Sequence, residues 1–124
     1  MSEDSYERGL ERRKAVLGAD HVQRAGERAT DLDRDFQAFI TRYAWGSVWT
    51  RDGLSTRDRS LLTIALLAAL GHRDELRLHL RATRNTGVTL DEIREALMHV
   101  AVYAGVPAAN AAFGDARRVL EEEG

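Results

Sequence analysis

Apolar residues recur along this chain at helical spacing, and no stretch alternates with period two for long enough to make a strand. Tyr6, Leu10 and Leu17 ahead of Gly18 mark a helix or arm over residues 1–18, and a weaker pattern occupies 20–29. From Leu32 the signal is plain. Leu32, Phe36, Phe39, Ile40 and Tyr43 fall at i, i+4, i+7, i+8 and i+11, opposite Asp33, Arg34, Gln37 and Arg42. The aromatic run Trp45-Gly46-Ser47-Val48-Trp49 breaks that period and reads as a non-helical connection.

Ser55, with Asp58 three residues on, marks a helix start. Residues 61–70 that follow are apolar all round until Gly71, which predicts a helix buried on every side, either wrapped by the others or shared with another subunit. The charged segment 72–85 carries Leu76, Leu78 and Leu80 and ends at Asn85-Thr86-Gly87, a C-cap composition. Thr89 and Glu92 form a capping box for a helix with Ile93, Ala96, Leu97, Val100 and Ala101 on one face. Gly105 and Pro107 separate it from a last Ala-rich helix bearing Phe113, Ala116 and Leu120, whose end at residues 121–124 reads as frayed. The pattern predicts an all-α, compact multi-helix single domain over 1–124.

Composition narrows what such a domain can do. With 18 Lys+Arg against 20 Asp+Glu the formal charge is -2, so no basic excess exists to bind a nucleic acid backbone. The apolar run 61–70 is about half of the ~20 residues that cross a bilayer, so no membrane span is expected. The charged N-terminus lacks a secretory pattern, which predicts a cytoplasmic protein. Cysteine is absent, which removes disulfides, thiol nucleophiles and thiolate metal sites. Lys14 is the only lysine, leaving little scope for Schiff-base chemistry.

Three places could carry chemistry. Glu75 and His79 lie four apart on a predicted helix, about 40° apart on its wheel, where a carboxylate can orient an imidazole for proton transfer near neutral pH. The same spacing serves surface pairs worth a few tenths of a kcal/mol. His72 joins their arc, but about 10 Å of helix axis separates it from His79, so the three predict no metal site. Tyr43, Trp45 and Trp49 beside Arg51 suit a small organic anion, with rings excluding water and a guanidinium binding a carboxylate; packing alone would also use them. Around Tyr103-Ala104-Gly105-Val106-Pro107 the small residues let a ligand or another helix come close.

Taken together, Tyr43-Ala44-Trp45-Gly46 with Trp49 and Arg51, the run from Arg59 to Gly71, Glu75-Leu76-Arg77-Leu78-His79, and Tyr103-Ala104-Gly105-Val106-Pro107-Ala108 resemble the carboxymuconolactone decarboxylase family. The resemblance spans 12–113. It implies the alkylhydroperoxidase-like all-α fold, an obligate homo-oligomer that is often a hexamer, and no cofactor. It also implies decarboxylation of 4-carboxymuconolactone to the enol-lactone of 3-oxoadipate, in protocatechuate catabolism by the β-ketoadipate pathway. The redox cysteines of the peroxidase relatives have no counterpart here. Position 52 departs from the pattern, with Asp52 where proline is favoured, and Arg73 falls in a variable place.

On this resemblance His79 delivers the proton with Glu75 orienting it, or Glu75 does so directly. Arg51 with Arg42 holds the substrate's acetate, Trp45, Trp49 and Tyr43 form a dry wall, and Tyr103 donates to the lactone oxygen. Two alternatives stand beside it: a lactone isomerase or hydrolase on the same fold, and a catalytically silent helical subunit serving assembly alone.

Overall fold

The computed structural model describes Ser2–Glu123, with the side chains of Ser2, Glu3 and Glu123 left aside; Gly124, the last residue of the expected frayed end, lies outside the described residues. Every regular element among them is helical: α1 (Ser2–Leu17), α2 (Ala19–Arg28), α3 (Arg34–Ile40), a π-helix (Thr41–Gly46), α4 (Thr56–Leu70), α5 (Arg73–Arg81), α6 (Thr83–Thr86), α7 (Leu90–Ala104) and α8 (Val106–Glu123). Among the described residues no helix is long and apolar enough to cross a membrane. The chain divides into two compact units, Met1–Thr56 and Arg57–Gly124.

In the first unit α1 packs along the π-helix at backbone contact distance. Two glycines make that approach feasible. A Cβ on Gly9 would lie 2.1 Å from the Thr41 carbonyl oxygen, and one on Gly46 would lie 2.1 Å from that of Ser5. Arg13, buried on α1, then donates to Thr41 Oγ1 and Gln37 Oε1, both at 3.2 Å. Among the described residues Val16, Leu17, Val22 and Trp45 are the buried apolar side chains of this unit.

The second unit is built on one hydrophobic cluster, with Ile64 and Ala68 of α4, Leu76 and Leu80 of α5, Ile93, Leu97 and Val100 of α7, and Ala109, Ala112, Ala116 and Val119 of α8. The capping box forms as its sequence demands: Glu92 N donates to Thr89 Oγ1 at 3.2 Å and Thr89 N to Glu92 Oε1 at 2.8 Å. Gly87 ends α6 at φ +86°, a left-handed conformation that glycine adopts without strain.

On this single chain helix α4 turns Ser60, Ile64 and Ala68 to the core with Leu61, Ala65 and Leu67 packed against it, and leaves Leu62, Leu66 and Leu70 50%, 57% and 66% exposed, so the chain's own helices do not wrap it on every side. Two other expectations are corrected. Trp45 does not lie in a non-helical connection: the helix continues through it by widening to π geometry, which shifts the apolar period and imitates a break. The end of the chain does not fray at residue 121, since α8 runs to Glu123 and Glu122 accepts from Arg81 Nε at 3.1 Å.

Candidate functional site

In the first unit the π-helix decides where the aromatics point. Phe39 and Tyr43 stack at 5.4 Å on an exposed face, whereas the added residue per turn rotates Trp45 inward. Trp49, one turn on, stacks against it with ring centroids 4.7 Å apart and planes inclined by 26°. Arg42 lies over the Tyr6 ring at 5.4 Å. A groove of about 780 Å³ opens between α1 and the chain after the π-helix, lined by Arg8, Glu11 and Arg12 on one side and Ser47, Thr50 and Arg51 on the other. Arg12 Nη1 spans to the Trp49 carbonyl at 2.5 Å and to Thr56 Oγ1 at 3.1 Å, tying the groove wall to the backbone of the indole pair. Of the anticipated residues, Arg51 thus lines this groove while Arg42 and Tyr43 do not.

In the second unit α5 is fixed by a buried acid. Asp115 of α8 is fully enclosed and accepts two hydrogen bonds from Arg73 and one from Arg77 Nη1, each at 3.0 Å. Hydrogen bonding from Arg73 and then Arg77 holds the Asp115 carboxyl below the usual carboxylate range, against burial, which acts the other way. Arg77 also pairs with Asp74. With that face turned to α8, Leu76, His79 and Leu80 share the buried side of α5. Glu75, one turn before His79, is exposed and forms no hydrogen bond or ion pair among the described residues. Tyr103, near the end of α7, is exposed with its ring 4.9 Å from that of His99. No group of three His, Cys, Asp or Glu among the described residues has metal-holding geometry.

Residues 34–118 match the family described as Carboxymuconolactone decarboxylase family, from α3 through most of α8. The chain belongs to this family. A 4-carboxymuconolactone decarboxylase of Acinetobacter baylyi is 53% identical over 122 residues, which is 98% of this chain and 91% of the relative. A nitrosuccinic acid decarboxylase of Metarhizium robertsii is 47% identical over 102 residues, covering 82% and 71% of the two chains. A 4-carboxymuconolactone decarboxylase of Pseudomonas putida is 46% identical over 41 residues, or 33% of this chain and 85% of that one.

The family match begins after α1, so Arg8 and Arg12 come from outside it. Neither is among the residues that the sequence singles out, although their i, i+4 spacing places two guanidiniums on one helical face. Nor are Arg73, which falls in a variable place, and Asp115. The signal was there in Arg73 and Arg77, likewise four apart, and in a lone acid within the Ala-rich opening of α8.

Proposed function

We propose that this chain is a cofactor-independent decarboxylase that converts 4-carboxymuconolactone to the enol-lactone of 3-oxoadipate, acting in the cytoplasm as a homo-oligomer, on the pattern of a hexamer. The observation that carries the reading is the 53% identity to the Acinetobacter baylyi enzyme over almost the whole of both chains. The fungal relative's name points the same way. Nitrosuccinic acid is also a dicarboxylic acid, and loss of the carboxylate beside its nitro group would leave an electron pair that the nitro group can hold.

The substrate is a dianion near pH 7, with one carboxylate on the quaternary ring carbon and one on an acetate arm. When CO2 leaves, the bonding pair passes through the ring double bond into the lactone carbonyl, giving a dienolate. That anion takes a proton on carbon, so the reaction needs an anchor for the retained acetate, a stabilised oxyanion and one proton donor. Arg51 anchors the acetate; Arg42 reaches that role only by leaving the Tyr6 ring. Trp45 and Trp49, with Tyr43, exclude water. His79 supplies the proton, Glu75, exposed and not hydrogen-bonded to it in the resting chain, orients it only by moving onto it or donates in its place, and Tyr103 donates to the lactone oxygen. The buried setting of His79 supports its role, and the stacked indoles support that of Trp45 and Trp49. The exposed row Leu62, Leu66 and Leu70 supports assembly, since a contiguous apolar face is a common subunit contact.

The test is CO2 release from the lactone by the purified protein, repeated with His79→Gln and Glu75→Gln. General acid catalysis contributes roughly 10²–10⁴-fold, so at least one variant should fall about a hundredfold while staying folded. Parental turnover by both refutes the proton-transfer assignment.

A further inference from the structure

The groove of the first unit carries more charge than anchoring one acetate through Arg51 requires. Three guanidiniums, those of Arg8, Arg12 and Arg51, face it together with a single carboxylate, Glu11, so its walls carry two net positive charges. Its volume, about 780 Å³, lies in the range of small-molecule sites. Arg8 forms no hydrogen bond or ion pair among the described residues, and Arg12 spends only Nη1, leaving the rest of its donors unspent. The wall that bears them is held rigidly, because backbone meets backbone at Gly9 and Gly46 and Arg13 ties α1 to the neighbouring helix. Guanidiniums carried on such a wall recognise carboxylates by charge-assisted, often bidentate hydrogen bonds.

We propose that Arg8 and Arg12 join Arg51 in a binding site for a small organic dianion, so that α1, outside the matched family segment, sets the requirement for a second carboxylate. The Ser47 and Thr50 hydroxyls line the same groove, although each donates to a backbone carbonyl, those of Arg42 and Gly46. The inference rests on the decarboxylase reading for its natural ligand, but the site can be probed without turnover.

Titration of the purified protein with glutarate, a dianion, and butyrate, a monoanion, followed by Trp fluorescence, reads the site directly. Wild type should bind glutarate at least about tenfold more tightly than butyrate, with an affinity that falls as salt is added. Arg8→Gln should lose about fivefold in glutarate affinity and Arg12→Gln about tenfold. Arg8→Lys should recover part of the loss, and Arg24→Gln, which removes an equal charge on α2, should change nothing. In turnover of the carboxylactone the same two losses should fall on KM rather than kcat. Equal affinity for glutarate and butyrate, or an Arg8→Gln variant with wild-type glutarate affinity and wild-type KM, overturns the site. Glutarate binding that depends on Arg8 and Arg12 without any CO2 release leaves the site standing and removes the decarboxylase reading instead.

Discussion

The contact between α1 and the π-helix makes a sharp mutational prediction. In Gly9→Ala the new methyl would lie 2.1 Å from the Thr41 carbonyl oxygen, short by roughly 1.2 Å of an ordinary C···O contact of about 3.3 Å, and it would also lie 2.7 Å from the Gly46 nitrogen. Both obstacles are backbone, so no side chain can swing aside, and α1 must lift as a body. A gap of 0.5–1 Å already forfeits about a quarter to a half of each dispersion contact, and the lift would loosen Val16 and Leu17 together with the Arg13 hydrogen bonds. Overpacking costs about 1–3 kcal/mol, and an immovable backbone puts Gly9→Ala at the upper end, near 3 kcal/mol. Urea unfolding followed by circular dichroism, at one fixed protein concentration, should show a midpoint lower by about 1 M or more. Gly26→Ala on α2 is the matched control, since nothing lies within 4 Å of its added Cβ. Relieving a helical glycine should stabilise the protein by about 0.5 kcal/mol. Equal midpoints for Gly9→Ala and Gly26→Ala would refute the close packing of α1.

Thr89→Ala removes the N-cap acceptor of Glu92 N and should cost about 1 kcal/mol in the same assay, with little change if water replaces the cap at no cost. Asp115→Asn should lower the unfolding midpoint at pH 7, because it discharges the enclosed partner of Arg73 and Arg77. The folded state holds the Asp115 carboxyl below its ordinary value, so its contribution is fully present above the unfolded value near 3.9 and is lost as pH falls from there through the lower folded one. The gap between wild type and Asp115→Asn should therefore be constant from pH 7 to 5 and shrink below about pH 4. A gap that widens with acidity would contradict the assignment.

Much of this architecture is legible in the sequence because it is local. The capping box at Thr89 and Glu92, the glycine stop at Gly87 and the buried face of Ile93, Leu97 and Val100 depend on residues within a few turns of one another. What escaped depends on partners far along the chain or on a change of helical pitch. The π-helix shifts the period at Thr41, so that Trp45, one residue inside an apparent break, is in fact a buried helical side chain. Over residues 61–70 helix α4 is apolar on every side, and periodicity cannot say which side meets the core. Asp115 gains its role from Arg73 and Arg77, 42 and 38 positions away. The groove that Arg8 and Arg12 share with Arg51 forms only because Gly9 and Gly46 let α1 come against the segment that carries Arg51.

Turnover of 4-carboxymuconolactone in D2O, with CO2 and product followed together by NMR and no cofactor or metal added, tests the central claim most directly. The expected result is one CO2 released for each lactone consumed, and an enol-lactone carrying a single deuterium on the carbon that received the proton. Consumption of the lactone with both carboxylates retained, or no consumption by the folded protein, would contradict it.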